Sequence, residues 1–365
     1  MRINTITFVH TRNVGAALQA TALYKYLAEE GYEVQVVDYR PEFFESQERL
    51  ICFDSIPLFI KSVCLYPINF VTRLKFERFI RKNIELTSVC RTTLDIQNLE
   101  QPDVFIVGSD QVWNKAITNW DSGFFLDFDS TAGKISYAGS VGQDVLDDAE
   151  MAVLKEKLRR VDFLSVRELE LKRQLENFGI DKVSLVLDPV FLLDKQFYIS
   201  KLKKKVDYKY VLLYETTQNE QCFLTARMVA DQLGCKIVQM NRIINKYKAD
   251  KILPSVSPED FLSLIYYSDF VVTNSFHGTA LSIVLEKSFY SVRLNERNSR
   301  IDSILSELKL TNRMISNKED VIPGDLLIEY EKVSSLLKTK INKSKTFLST
   351  SLSSIQEKNK ILSGR

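Results

Sequence analysis

A histidine lies where a predicted strand gives way to a predicted helix. His277 follows the apolar run 270–272 and precedes a segment that is apolar on nearly every helical face. Open α/β sheets bind ligands at the carboxyl ends of their strands, and an imidazole there can transfer protons near neutral pH. A histidine that only caps a helix or satisfies a buried carbonyl is the alternative. Because Ser275, Gly278 and Thr279 flank the ring, we predict that His277 is catalytic.

Cationic groups near this histidine predict an anion site. The predicted turn 274–278 leads into a helix start, whose unpaired N–H groups and dipole suit a phosphate or carboxylate. Downstream, residues 293–300 contain three arginines just after the predicted strand 289–292. They could clamp a doubly charged anion or form a solvated loop, and we prefer the clamp. Arg167 follows another short strand, and binding an anion or pairing with Glu168 are equally open roles.

Small and hydrogen-bonding residues follow predicted strands in the N-terminal half as well. Asn13 and Gly15 come after the first strand, where plain turn geometry and ligand binding are equal alternatives. Residues 108–114 follow the apolar strand 103–107 and form a second candidate ligand loop. Its Trp113 either stacks on a sugar or fills the core.

Strands and helices alternate along both halves of the chain. This pattern predicts an α/β fold with two Rossmann-like parallel-sheet domains that face a cleft. The first would span residues 1–195 with an insertion at 42–83, and the second residues 206–330. A helical tail, 331–365, would cross back to the first domain. A GxGxxG motif is absent, so the sequence does not predict dinucleotide binding.

Composition excludes several classes of protein. The chain has 365 residues, of which 45% are hydrophobic and 26% charged, and a net charge of +2. That small charge argues against nucleic-acid binding. Five cysteines without CxxC spacing and two histidines indicate reduced thiols and no metal site. Without a recognisable signal peptide, the expected location is the cytoplasm.

The insertion 42–83 allows two interpretations. Its first part is apolar but contains Pro57, Lys61 and Pro67, so it is not expected to span a membrane. Its second part interleaves basic and aromatic residues and could rest on the anionic inner surface of the membrane. The alternative, which we prefer, is an ordinary solvated helix with Phe76 and Phe79 packed inward.

Seven of these segments, in order, resemble the polysaccharide pyruvyl transferase family. Together they extend over roughly residues 6–315, and the series is specific although each motif alone is weak. Val14 and Asn274 depart mildly from the family pattern, where an aromatic residue and an aspartate are common. The matching motifs are NVGAALQA at 13–20, DYRP at 38–41, VGSDQVWN at 107–114, ISYAGS at 135–140, SVRE at 165–168, LDP at 187–189 and TNSFHGT at 273–279.

The resemblance implies a fold similar to that of B-type glycosyltransferases. It also implies phosphoenolpyruvate as the donor co-substrate, no further cofactor, and a sugar diol as the acceptor. The product would be a cyclic pyruvate ketal on a cell-surface glycan or on its lipid-linked precursor. The resemblance places the donor on the second domain and the acceptor on the first.

These implications assign roles to residues of this chain, with His277 as the group that gives and takes protons. The expected donor-binding residues are Arg167, Ser275, Gly278, Thr279, Arg297, Asn298 and Arg300. The expected acceptor-binding residues are Asn13, Gly15, Ser109, Asp110, Gln111 and Trp113. Two other functions stay open. One is a sugar-nucleotide glycosyltransferase on the same scaffold, with His277 or Asp110 as base, and the other is a glycan-binding protein without catalysis.

Overall fold

The computed structural model describes residues 1–240, 247–294, 298–322 and 324–362. Two sheets with purely parallel strand pairing form its framework. The first sheet contains β1 (Arg2–Ile6), β2 (Glu33–Tyr39), β3 (Leu86–Cys90), β4 (Val104–Val107), β5 (Gly133–Gly139), β6 (Phe163–Val166) and β7 (Ser184–Leu185). The second contains β8 (Tyr210–Tyr214), β9 (Lys236–Met240), β10 (Lys251–Leu253), β11 (Phe270–Thr273), β12 (Phe289–Val292) and β13 (Met314–Ile315).

The order of the strands confirms the predicted α/β class. The first sheet runs β3-β2-β1-β4-β5-β6-β7 and the second β10-β9-β8-β11-β12-β13. Each order reverses beside the first strand of its sheet, the position where doubly wound sheets open a crevice for ligands. Central strands such as β4, β8 and β11 are buried along their whole length, as expected for sheets covered on both faces. The predicted domain boundaries at residues 195 and 206 stay predictions.

Helices connect the strands and cover both sheets. In the described residues, they are α1 (Val14–Glu29), α2 (Glu42–Gln47), α3 (Ile56–Asn83), α4 (Thr93–Gln97), α5 (Lys115–Thr118), α6 (Asp148–Leu158), α7 (Leu169–Asn177), α8 (Lys195–Ile199), α9 (Glu220–Leu233), α10 (Pro258–Tyr266), α11 (Phe276–Val284), α12 (Ser299–Glu307) and α13 (Tyr330–Leu362). Short 3-10 helices occur at Ser122–Phe125, Pro189–Phe191, Thr311–Arg313 and Lys318–Asp320.

One local expectation was wrong. The predicted turn 274–278 is shorter, because α11 begins at Phe276 with Ser275 as its N-cap. His277 therefore lies in the first turn of a helix. The segment before Ser257 contains the short edge strand β10, which was not predicted, and residues 195–199 form α8.

The predicted insertion is dominated by one long helix. α3 continues through Pro67, which removes one backbone donor but does not end the helix. Its inward residues are Thr72, Phe76, Phe79 and Ile80, so the expected inward packing of the two phenylalanines is confirmed. Among the described residues, no helix is long and apolar enough to cross a membrane.

The C-terminal helix α13 returns to the first sheet, as the sequence predicts. Leu348, Leu352 and Ile355 are buried in the same core as β1, β4 and β5. The backbone N–H of Leu187 donates a hydrogen bond to Ser344 Oγ at 2.9 Å. The end of the chain thus covers part of the first sheet.

Candidate active site

The carboxyl ends of three strands of the first sheet bring buried charges together. Asp110 follows β4, Arg167 and Glu168 follow β6, and Asp188 follows β7. We call these four residues the Arg167 cluster. Each of them is at most 5% exposed, so their charges interact with little screening by water.

Arg167 is surrounded by carboxylates. Its Nη1 donates to Asp188 Oδ2 at 2.6 Å and its Nη2 to Asp110 Oδ1 at 3.1 Å. Its Nε lies 3.7 Å from Glu168 Oε1 and makes no hydrogen bond. Of the two open roles, the structure shows the pairing with carboxylates, which occupies the guanidinium. Its predicted contact with a donor anion stays untested.

Hydroxyl groups from the same sheet edge complete the cluster. Ser109 Oγ donates to Asp188 Oδ2 at 3.0 Å, and the Ser140 hydroxyl donates to Glu168 Oε1. Burial raises the pKa of Glu168, and the nearby charge of Arg167 offsets this only in part. Burial also acts to raise the pKa of Asp188, but the charges of His277 and Arg167 outweigh it and hold that pKa well below its usual range.

His277 enters this cluster from the second sheet. Its Nε2 lies 3.6 Å from Asp188 Oδ2, too far for a hydrogen bond but close enough for electrostatic attraction. This Nε2 atom is buried and has no hydrogen-bond partner among the described residues. Buried polar atoms are rarely left unpaired. Three such atoms, on Arg167, Glu168 and His277, are gathered here.

The imidazole marks the contact between the two halves of the molecule. A Cβ added to Gly15, in the first turn of α1, would lie 2.1 Å from His277 Nδ1. Only glycine permits this close approach. His277 is 5% exposed, so the ring is closed off from solvent in this arrangement of the chain. The ring lies in a packed junction between the two sheets.

Two guanidinium groups lie near the ring of Phe276. The Cζ atoms of Arg167 and Arg300 lie 4.7 and 5.8 Å from the ring centroid, within reach of cation–π attraction. The charge of Arg300 also acts on Asp110, whose net pKa is lowered although burial alone would raise it. The structure thus brings Arg300 towards the cluster, and its predicted role in donor binding stays a prediction. Arg297, its predicted partner, lies outside the described residues.

The other predicted donor residues are engaged within the protein. Ser275 Oγ accepts a hydrogen bond from the Gly278 N–H at 3.3 Å, and Thr279 Oγ1 bonds with Ser291 Oγ at 2.6 Å. A Cβ on Gly278 would meet Thr273 Oγ1 at 2.4 Å. Asn298 precedes α12 without a side-chain cap, and its Oδ1 accepts a hydrogen bond from the Leu294 N–H at 2.9 Å. These contacts place the four residues as supports for α11 and α12.

The predicted acceptor loop is largely internal. Trp113 is 0% exposed, its Nε1 donates to Phe124 O at 3.0 Å, and it stacks on Phe125. The expectation of a sugar-stacking platform is therefore wrong, and the core alternative holds. Ser109 is fully buried. Gln111 accepts a hydrogen bond from Asn114 at 2.7 Å.

Asn13 caps α1 and remains accessible. Its Oδ1 accepts from the N–H groups of Gly15 and Ala16 at 2.9 and 3.3 Å. It lines a cavity of about 340 Å³ between the sheets, together with residues from both halves. We call this the intersheet cavity. Its lining comprises Asn13, Val14, Phe76, Tyr214, Glu215, Thr216, Met240, Leu253, Pro254 and Val256.

Glu215, which the sequence analysis missed, lines the intersheet cavity. Burial raises its pKa to about 7, although hydrogen bonds from the Asn219 N–H and from Gln239 Nε2 act to lower it. Its neighbour Thr216 donates to Asn274 Oδ1, which ties this loop to the His277 helix. An acidic residue directly after the buried strand β8 was the available signal.

A second cavity, of about 530 Å³, lies beside α3 and shares Phe76 with the intersheet cavity. We call it the outer cavity. Here His10, the other histidine of the chain, forms a hydrogen bond between its Nε2 and Asp38 Oδ1 at 2.6 Å. The Asp38 carboxylate also accepts two hydrogen bonds from Arg40. Within the described chain, no group of three His, Cys, Asp or Glu side chains could hold a metal ion.

The two parallel sheets with a junction at their carboxyl ends form an α/β fold similar to that of B-type glycosyltransferases. Among solved structures, UDP-N-acetylglucosamine 2-epimerase from Neisseria meningitidis matches with a TM-score of 0.53 and 11% identity, over 96% of this chain and 99% of that one. A putative UDP-N-acetylglucosamine 2-epimerase from Listeria monocytogenes matches with a TM-score of 0.51 and 12% identity, over 93% and 90%. These similarities show the fold alone.

The family follows from the sequence. The model of the polysaccharide pyruvyl transferase family matches residues 13–296, so the chain belongs to this family. Membership implies a transferase that acts on a polysaccharide acceptor. No curated protein matches the chain.

Proposed function

We propose that this protein transfers pyruvate from phosphoenolpyruvate to a sugar diol and so forms a cyclic pyruvate ketal. The acceptor would be a cell-surface glycan or its lipid-linked precursor on the cytoplasmic side of the membrane. The family match over residues 13–296 carries the proposal. The junction at His277, which joins a histidine, a carboxylate and two arginines, supports it.

The reaction requires two proton movements. The methylene carbon of phosphoenolpyruvate gains a proton and becomes a methyl group, while positive charge develops at the neighbouring carbon. One sugar hydroxyl attacks that carbon and loses its proton. The bond from that carbon to the phosphate oxygen then breaks, phosphate leaves with the electron pair, and the second hydroxyl attacks. The two hydroxyl protons thus end on the methyl carbon and on phosphate.

His277 is the proposed proton carrier. Asp188 stands 3.6 Å from its Nε2, where a carboxylate stabilises an imidazolium and fixes the ring. Arg167 and Ser109 hold Asp188 in turn. Because the ring packs on Gly15, the two lobes must part for substrates to reach it. Such opening and closing is common in two-lobed enzymes.

The intersheet cavity is the proposed acceptor site. It is accessible, it is lined by Asn13, and it lies beside the His277 helix through the contact between Thr216 and Asn274. Glu215, with a pKa of about 7, is suited to accept a proton from a sugar hydroxyl. The outer cavity, which shares Phe76, gives room for further sugars. Arg300 remains the proposed donor-binding residue, together with Arg297.

Incubation with phosphoenolpyruvate and lipid-linked glycans, followed by mass spectrometry, tests the activity. We expect the acceptor to gain the mass of a pyruvate ketal and phosphate to be released in equal amount. We expect His277→Asn to reduce turnover by about 10²–10⁴-fold, the typical contribution of a general acid–base group. Undiminished turnover in this variant would exclude the histidine from proton transfer. Turnover of sugar nucleotides in place of phosphoenolpyruvate would replace the proposed reaction.

A matched control distinguishes chemistry from disturbance of the helix. Ser282 lies further along α11, is fully buried, and donates to Gly278 O at 2.7 Å. Ser282→Ala should lower thermal stability slightly and leave turnover close to that of the parent protein. A His277→Asn protein with the same melting temperature as Ser282→Ala but without turnover would support the proposed role.

A further inference from the structure

The outward face of α3 is apolar. Residues three or four apart along a helix share one face, and Ile56, Ile60, Val63, Phe70 and Leu74 form such a stripe. All five are exposed, with Ile56 reaching 77%. The opposite face carries the buried residues of the helix. The apolar stripe therefore points away from the protein, the reverse of an ordinary surface helix.

Further apolar side chains widen this surface. We call the stripe and these neighbours the α3 face. Phe53, just before the helix, is 72% exposed and packs its ring near that of Phe59 at 5.7 Å. A contiguous exposed patch of this kind marks an interaction site. The added neighbours are Phe53, Phe59, Tyr66 and Val71.

The charged residues of α3 are mostly basic. α3 contains six basic residues and one acidic residue. Lys61 and Arg78 are both exposed, and neither has an ion-pair partner among the described residues. Arg78 follows Leu74 by one turn, so the stripe passes from apolar into cationic along a single face. Glu77, the acidic residue, is paired with Arg73.

The helix is held in place from its inner side. Thr72 Oγ1 donates to Ser255 Oγ at 2.9 Å, and Lys75 Nζ donates to Ser255 O at 2.8 Å. Phe76 and Phe79 pack in the core. The inward side of α3 is thus packed against the protein. The α3 face is on the opposite side and stays uncovered.

We propose that the α3 face binds the surface of a membrane that contains anionic lipids. An apolar stripe that enters the headgroup region, with lysine and arginine beside it, is the pattern of an interfacial helix. The cationic end complements the negative lipid headgroups, and long basic side chains can reach those headgroups while their stems stay in the apolar layer. Because Arg73, Phe76 and Glu77 of the same helix line the outer cavity, a membrane-held acceptor would lie close to the proposed acceptor site. Only this last step rests on the proposed function.

Sedimentation of the full-length protein with lipid vesicles tests the contact without phosphoenolpyruvate or acceptor. We expect binding to vesicles of phosphatidylcholine with phosphatidylglycerol, and much weaker binding to phosphatidylcholine alone. High salt should weaken the first, because it screens the cationic end. Since the readout needs no turnover, failure of this proposal is distinguishable from failure of the proposed reaction.

Two double variants separate the apolar and the cationic contributions. Ile60→Ser with Val63→Ser removes apolar surface, and Lys61→Glu with Arg78→Glu reverses two charges. Each pair should weaken binding to the anionic vesicles at least about tenfold. The matched controls are Leu327→Ser, at an exposed leucine elsewhere, and Lys338→Glu, at an exposed lysine of α13. Both controls should bind as the parent does.

Three outcomes would overturn the proposal. The first is equal binding of all variants and controls, and the second is no vesicle binding by the parent protein. The third is concentration-dependent self-association that Ile60→Ser with Val63→Ser abolishes while vesicles bind nothing, which would assign the face to a second copy of the chain. All the substituted side chains are exposed, so unchanged thermal unfolding will show that each variant is folded.

Discussion

The carboxyl group of Glu215 differs in its environment from those of the Arg167 cluster. Asp188 and Asp110 have cationic partners that hold their pKa values low. Glu215 is half-buried and has no such partner among the described residues, and its pKa rises to about 7. A carboxyl group that gains and loses a proton near neutral pH is suited to acid–base chemistry. Its position in the intersheet cavity puts that capacity beside the proposed acceptor.

This raised pKa predicts how stability depends on pH. In the unfolded chain, Glu215 titrates near 4.5, and in the folded protein near 7. Between these values the folded state binds more protons, so this group makes the free energy of unfolding fall as pH rises. Above about pH 7 the penalty is fully present, and below about pH 4.5 it is absent. Glu215→Gln removes the ionisation and keeps an oxygen to accept the hydrogen bond from the Asn219 N–H.

Thermal unfolding of both proteins across this pH range measures the effect. We expect Glu215→Gln to melt at a higher temperature than the parent at about pH 8, with the gap closing as the pH falls to about 5. A gap that is the same at both ends of the range would show that the pKa of Glu215 is not raised. The outcome concerns stability only and therefore does not depend on the identity of the substrates.

At the residue scale, the sequence predicted which positions would meet but not how they would be used. Parallel strands end at one edge, so Asp110, Arg167 and His277 were expected near a common site. Their pairing could not be predicted, because it depends on the distances between strands that are far apart in the sequence. Asp188 was noted only as part of the LDP motif at 187–189, although it contacts both Arg167 and His277.

Among the elements, those with strong local patterns were predicted well. The buried strands β4 and β11 are short apolar runs, and they lie where the sequence predicts strands at 103–107 and 270–272. The short edge strand β10 was missed because its three residues carry no distinct pattern. The continuity of α3 was missed because two prolines indicated a break. Pro57 lies at the helix start, where it is tolerated, and Pro67 lies within the helix on the exposed side.

The packing of α13 permits a matched stability test. Ile355 is 3% exposed in the core beside β5, whereas Ile361 on the same helix is 80% exposed. Ile355→Ala leaves a cavity against Gly133 and should lower the free energy of unfolding by about 2–5 kcal/mol. Ile361→Ala should change it by less than about 0.5 kcal/mol. Chemical denaturation of both variants provides the measurement, and equal effects would show that α13 does not pack on the first sheet.

At the scale of the whole molecule, the two lobes meet in a very close contact between Gly15 and His277. Gly15 belongs to the first domain predicted from the sequence and His277 to the second, and no side chain larger than hydrogen fits between them. Other contacts join the same halves, including the bond from the Leu169 N–H to Ser303 Oγ at 3.1 Å. Sequence patterns predicted two lobes, but they carry no information on how tightly the lobes close. The buried imidazole is a consequence of that closure.

Gly15→Ala tests the contact between Gly15 and His277, because the contact decides whether the substitution raises or lowers the free energy of unfolding. Alanine favours a helix over glycine by up to about 1 kcal/mol, so the substitution should stabilise the protein if nothing faces Gly15. In the structure, the added Cβ would collide with the imidazole. We therefore expect a lower free energy of unfolding and a loss of turnover, because either the lobes move apart or the ring is displaced.

The double variant Gly15→Ala with His277→Ala separates this collision from other causes. Removing the imidazole makes room for the new methyl group, so the second substitution should recover part of the stability lost in the first. The cycle of four proteins, followed by chemical denaturation, should give a coupling of at least about 1 kcal/mol. Additive effects would mean that the two residues do not touch in solution, so that the junction stands open there. Coupling together with turnover in the parent protein would mean that the lobes close on His277 and part again during each catalytic cycle.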